Sequence, residues 1–192
     1  MRDTIWTLIR NILKNLPENQ SHIIWKGILR IRRLFLVFLI NFGFSNSRKR
    51  MDQKIVKLFN SKSNGFFIEV GAADGVDTSN TFLLEKKYNW RGLLIEPIKE
   101  YYYPCKKIRK KSIVVNYCLT NNLIKNPQSK MIKEDLKSKI INDEDSIGPS
   151  RNFELNPIEF VENTTLSNLL EKYSIKNVDL MSLDVEYHEI EV

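Results

Sequence analysis

Cysteine is scarce in this chain, with Cys105 and Cys118 the two thiols among 192 residues. Two thiols cannot make a disulfide framework, and without further ligands they cannot make a zinc site. Both read as reduced thiols of a cytoplasmic compartment, Cys118 as a small buried group ending an apolar strand. Long apolar runs are missing too. The stretch from Leu34 to Phe44 is 11 residues long and contains Asn41, whereas a bilayer-spanning helix needs ~20. No apolar segment near the start leads to a clear small-residue cleavage site, so a signal peptide does not stand out. The phosphate-binding signatures are absent as well. There is no G-x-G-x-x-G, and no Lys follows Gly75 as a P-loop would require. No cluster of metal ligands and no internal repeat is visible.

What is present belongs to a globular protein. Hydrophobic residues make up 42% and charged residues 28%, which excludes a disordered chain. The length suits one ordinary domain with an N-terminal appendage. Charge divides the chain at the same place. Residues 1–50 carry ten basic and two acidic side chains, and residues 51–192 carry 20 and 21. All the excess positive charge therefore lies in an extension, 1–50, ahead of a core domain, 51–192. A core without its own basic face is not expected to bind nucleic acid.

In the extension, Ile5, Trp6, Leu8, Ile9, Ile12, Leu13 and Leu16 recur at helical spacing and Pro17 ends the pattern, which predicts an amphipathic helix. A second, more apolar segment runs from Ile23 to Phe44, interrupted by Lys26, Arg30, Arg32 and Arg33. Three readings stand for residues 1–44: an interfacial segment lying on an anionic membrane, a helical cap packed on the core, or a short signal anchor. Ser45 to Arg50 reads as the linker into the core.

The core opens with a short helix over 52–59 and then its most informative stretch. Phe66-Phe67-Ile68-Glu69-Val70 is a buried strand running into Gly71-Ala72-Ala73-Asp74-Gly75. A second strand over 92–96 ends in Glu96-Pro97, with Glu96 placed 21 residues after Gly75. Strand, glycine turn, helix, strand and terminal carboxylate form half of a Rossmann-like nucleoside site, in which the late acid holds ribose hydroxyls. A pyrophosphate would be repelled by Glu69 and Asp74. S-adenosyl-L-methionine, which has no phosphate and carries a cationic sulfonium and amine, suits these carboxylates better. The remaining pattern predicts helices over 79–88, 99–110, 130–141 and 166–173, with Asp77, Thr78 or Ser79 capping the first and Thr165 the last. Strands are predicted over 113–117 and 178–183. Strands alternating with helices imply an α/β fold with a parallel sheet.

The segments FFIEVGAADGVDTSNTFLLE (66–85), Trp90-Arg91-Gly92-Leu93-Leu94-Ile95-Glu96-Pro97 and Val178-Asp179-Leu180-Met181-Ser182-Leu183-Asp184-Val185-Glu186 closely resemble FkbM-type methyltransferases. The branch related to the Star proteins of animals is the most similar in look. The resemblance spans about 64–192. It implies a Rossmann-like methyltransferase fold, the cofactor S-adenosyl-L-methionine, and O-methylation of a hydroxyl on a glycan, lipid or small metabolite. A catalytically silent, Star-like trafficking or adaptor protein and an inactive fragment are the alternatives. Tyr187 stands where the family usually has Gly. The family's sheet continues past the point where this sequence stops, so the sequence reads as incomplete at its C-terminus, with an unpaired strand edge.

The candidate cofactor-binding residues are Glu69, Gly71, Ala72, Ala73, Asp74, Gly75, Ser79, Asn80, Thr81, Glu96, Pro97 and Cys118. Gly71 lets the backbone approach the ligand, Asp74 faces the methionine amine or caps the turn, and Glu96 binds ribose. Ser79, Asn80 and Thr81 cap the helix or touch the methionine carboxylate. Cys118 lies against adenine or in the core. Asp184 and Glu186 share one side of an extended chain, and either is a candidate general base for an acceptor hydroxyl. The alternative is that they cap the next element. His188 is a weaker candidate for the same task.

Overall fold

Strands that are apolar at nearly every position bury both faces, and a strand followed by a helix returns to its sheet in the same direction. The computed structural model describes residues 18–42, 44–121, 127–132, 139–141 and 158–184. In chain order it contains α1 (Glu18–Asn41), a 3₁₀ turn (Arg48–Arg50), α2 (Met51–Leu58), β1 (Phe66–Val70), α3 (Phe82–Lys87), β2 (Arg91–Ile95), α4 (Lys99–Ile108) and β3 (Ile113–Val115). There follow β4 (Cys118–Leu119), β5 (Gln128–Ile132), β6 (Lys139–Ile141), β7 (Ile158–Thr164), α5 (Leu166–Lys172) and β8 (Leu180–Leu183).

The central sheet has the order β3-β2-β1-β8, and every pair is parallel. Side chains alternate across it, as the period of an extended chain demands. Phe67, Leu94 and Val114 join Ile55, Leu84, Trp90 and Cys105 in one core layer. Ile68, Val70, Leu93, Ile95 and Val115 point the other way and pack with Leu169 of α5. Helices therefore cover both faces, and this is the Rossmann-like methyltransferase fold. The cap expected at Thr165 forms, its side chain accepting from the Asn168 N–H at 3.1 Å. β8 pairs with β1 along one edge, and Met181 and Leu183 are exposed.

Where a helix was expected, over 130–141, the described residues at both ends are strands instead. Gln128–Ile132 is a strand lying antiparallel to both β6 and β7, and β7 lies parallel to β4, giving a second sheet ordered β4-β7-β5-β6. The reason is a period of two. Met131 in β5 and Val161 in β7 are buried while their neighbours Lys130, Phe160 and Glu162 are exposed. The partner that makes β5 a strand begins at Ile158, beyond the reach of any local pattern.

The second segment of the extension is one helix, α1, and it packs on the core. Leu36 and Ile40 are buried against Val76, Phe82 and Leu83. Ser45 to Arg50 is not a plain linker either. Asn46 and Ser47 are buried, Ser45 Oγ donates to Asp52, and Ser47 pairs with Thr78 through a β-bridge. The helix read over residues 5–16, Glu186 and His188 lie outside the described residues.

Candidate cofactor site

Parallel sheets place ligands at the carboxyl ends of their strands. Here the ends of β1, β2 and β8 are adjacent. The N–H groups of Gly71 and Ala72 donate to Ile95 O at 3.0 and 3.2 Å, and the Asp184 N–H donates to Val70 O at 3.1 Å. Gly71 has a φ of 78°, and a Cβ built on it would lie 2.1 Å from Asp184 O. A backbone oxygen cannot retreat as a flexible side chain can, so only glycine lets the tips of β1 and β8 come this close. Gly75 closes the turn at φ 75°, its N–H donating to Ala72 O at 2.9 Å.

Glu96 joins the tips of β1 and β2. Its Oε2 accepts from the Ala73 N–H at 2.7 Å and its Oε1 from the Ile98 N–H at 2.9 Å. Ala73 takes a φ of 45°, a region uncommon for a residue with a Cβ. Asn116, just past β3, donates to Glu96 O at 2.8 Å and also to Pro97 O, which steadies the chain around the carboxylate. Burial pushes the Glu96 carboxyl up to about 7, against the opposing pull of its two backbone donors, with Glu159 and Asp74 adding to the rise.

Counting acceptor capacity separates the three acids of this region. A carboxylate has about four lone-pair positions. Glu69 accepts from Ser79 Oγ through both oxygens, from the Asn80 N–H at 2.8 Å and from Thr81 Oγ1 at 2.6 Å, and Arg109 stands 3.5 Å away. It is saturated. Asp74 accepts from the N–H groups of Val76 and Asp77 through Oδ1 and from Arg33 Nε at 2.8 Å through Oδ2. Among the described residues that leaves one position. Among the described residues Glu96 has two donors, the N–H groups of Ala73 and Ile98, which leaves two of its positions open.

The other candidates fall into place around this frame. Ser79 accepts from the Phe82 N–H at 3.1 Å, so it satisfies the start of α3 as well as Glu69. Asn80 links three segments, since its Nδ2 donates to Ser182 Oγ of β8 at 3.0 Å and its Oδ1 accepts from Ser47. Ala72 is buried beneath the turn in the layer that holds Phe67. Cys118 sits with Ile98, Met131 and Val161 in a small apolar cluster under the second sheet. Asp184 is exposed at the tip of β8. Among the described residues no group of His, Cys, Asp and Glu is arranged to hold a metal ion.

Sequence reasoning missed Arg109. It is fully buried, and it donates to Glu85 at 2.9 Å, Gly75 O at 3.0 Å, Ser79 Oγ at 3.2 Å and Thr81 Oγ1 at 2.8 Å. Its guanidinium thus ties the turn to α3. No local signal marks it, because it stands in a basic run with Lys106, Lys107, Lys110 and Lys111. The pairing of Arg32 with Asp77 and of Arg33 with Asp74 was missed as well, because it joins the extension to the core across some forty residues.

A parallel α/β sheet with helices on both faces and a glycine turn after its first strand defines a protein of the Rossmann-like class. A model of the FkbM methyltransferase domain matches residues 69–192. The chain belongs to the FkbM methyltransferase family. Comparisons with curated proteins and with solved structures give no match.

Proposed function

We propose that this methyltransferase uses S-adenosyl-L-methionine and transfers its methyl group to a hydroxyl of a glycan, lipid or small metabolite. The observation that carries the reading is Glu96. A buried carboxylate with two acceptor positions open is costly unless donors fill them, and the 2′ and 3′ hydroxyls of an adenosyl ribose are such donors. Ala72, Ala73 and Gly75 would line the turn beneath the methionine part, with Asp74 offering its remaining position to the amine. The bound donor supplies an electrophilic methyl carbon on a cationic sulfur. The protein's part is to hold the acceptor in line and to exclude water. Asp184, exposed beside the tip of β1, is suited to take the proton as a hydroxyl attacks, with Glu186 the second candidate for that role.

Titration calorimetry with S-adenosylhomocysteine tests this. Saturable heat is expected, and Glu96→Ala should weaken binding by a few kcal/mol, since a charged partner of the ribose is lost. No heat at millimolar ligand would reject the reading. That result would favour a second one, a catalytically silent binding protein. The second reading draws on the ion pairs that Arg32 and Arg33 already make with Asp77 and Asp74.

A further inference from the structure

A helix that packs on a core through one stripe should be polar on the opposite stripe. α1 is not. Its buried residues, Leu36 and Ile40, face the core, while Ile23, Ile31, Leu34, Phe35 and Phe38, with Phe42 just past its last residue, are 55–71% exposed. With 3.6 residues per turn these six fall within an arc of about 120°, centred roughly opposite the buried pair. The rings of Phe38 and Phe42 pack at a tilt with centroids 4.9 Å apart, so the patch is continuous at its C-terminal end. A bare apolar face of this kind marks a surface that meets something.

Charge says what it meets. Lys26 and Arg30 are exposed along one border of the arc, and Arg48, Lys49 and Arg50 are exposed just beyond the end of the helix. Glu18 is the one acidic residue in α1. Arg32 and Arg33 do not belong to this border, because they turn toward the core and pair with Asp77 and Asp74. An apolar stripe edged with cations matches the boundary between acyl chains and anionic headgroups. Among the described residues no helix is long and apolar enough to cross a membrane, so the match is to a helix lying in the surface plane.

We propose that the outward face of α1 docks the protein on an anionic membrane surface, its aromatic and aliphatic side chains inserted among the lipids and Lys26 and Arg30 against the headgroups. Because the opposite stripe stays packed on Val76, Phe82 and Leu83, docking needs no unfolding. It also holds the Asp74 turn about one helix diameter from the bilayer, ~10 Å. The proposal stands on α1 alone and does not depend on methyl transfer.

Flotation of the full chain with lipid vesicles tests it. The wild-type protein should float with vesicles of phosphatidylcholine and phosphatidylglycerol, and much less with phosphatidylcholine alone. Salt should weaken the binding as it screens the headgroups. Leu34→Ser, Phe35→Ser and Phe38→Ser combined should reduce binding by roughly tenfold or more. Lys26→Glu with Arg30→Glu should abolish the preference for anionic vesicles. These side chains are exposed, so an unchanged cooperative unfolding transition confirms that the variants fold. The proposal is overturned if the wild-type protein does not float, or if the triple variant floats as well as it does. It is equally overturned if lipid-free wild-type protein is a dimer that the triple variant converts to monomer, since the face would then belong to a second copy.

Discussion

Arg109 and Glu85 meet inside the protein as an ion pair, Nε to Oε2 at 2.9 Å, with both side chains essentially inaccessible to water. Ser112 also donates to the same carboxylate, and the other guanidinium nitrogens hold Gly75, Ser79 and Thr81. Removing one member of a buried pair strands the other charge in a low-dielectric interior, at a cost of about 3–5 kcal/mol. Arg109→Met should therefore lower stability by that amount in urea denaturation. Glu85→Leu placed on top of it should recover part of the loss, since the uncompensated carboxylate goes with it.

The raised Glu96 carboxyl makes stability depend on pH in a definite direction. Its folded value is about 7 against an ordinary 4.5. Between these values the native state holds a proton that the unfolded chain has released, so stability falls as pH rises through the window. The loss amounts to on the order of 3 kcal/mol. Denaturation midpoints of the wild-type protein and Glu96→Gln, compared from pH 4.5 to 7, should show the slope flattened in the variant. Ligand affinity should move the other way. On the proposed function ribose hydroxyls donate to the ionised carboxylate, so S-adenosylhomocysteine should bind more tightly at pH 8 than at pH 6, and Glu96→Gln should lose that dependence.

Arg33 Nε donates to Asp74 Oδ2, the carboxylate that the proposed function assigns to the ligand's amine. The pair is only partly buried, with side chains 19% and 13% exposed, so its loss should cost less than ~1 kcal/mol of stability. Arg33→Ala should nevertheless raise the affinity for S-adenosylhomocysteine, by up to roughly tenfold, because Asp74 regains an acceptor position. Calorimetry of this variant beside Arg30→Ala, which carries no such pair with the turn, isolates the effect.

At Gly71 the backbone itself is the constraint. Gly71→Ala adds a methyl 2.1 Å from Asp184 O at a φ of 78°, combining left-handed strain with overpacking. A loss of roughly 2–4 kcal/mol is expected. Hydrogen exchange should locate the damage, with protection lost first in Leu180–Leu183, since β8 must move away from β1.

Much of this was legible in the sequence, and the reason differs from element to element. β1 and β2 are short apolar runs bounded by glycine, Glu and Pro, so they declare themselves without a partner. Thr165 caps α5 through its own side chain and the N–H three residues on, a contact inside one turn of chain. Glu96 could be singled out because its distance from the glycine turn reflects a single strand–helix–strand unit. β5 was misread because Gln128–Ile132 has no helical or strand preference strong enough to decide. Its identity comes from β7, which supplies the hydrogen bonds. Arg109 was invisible for a related reason, since burial, not residue type, distinguishes it from the lysines around it.

Local chemistry thus determined the central parallel sheet, its glycine turn and the acid at the tip of β2, because each depends on residues close together in the chain. Only the tertiary structure decided which carboxylate still has acceptor positions to offer. Glu69, Asp74 and Glu96 are all simply carboxylates in the sequence. Ser79, Asn80 and Thr81 fill Glu69, with Arg109 paired beside it, and Arg33 nearly fills Asp74 from some forty residues away. Lone pairs are filled by whatever folding brings within about 3 Å, and no sequence pattern records that.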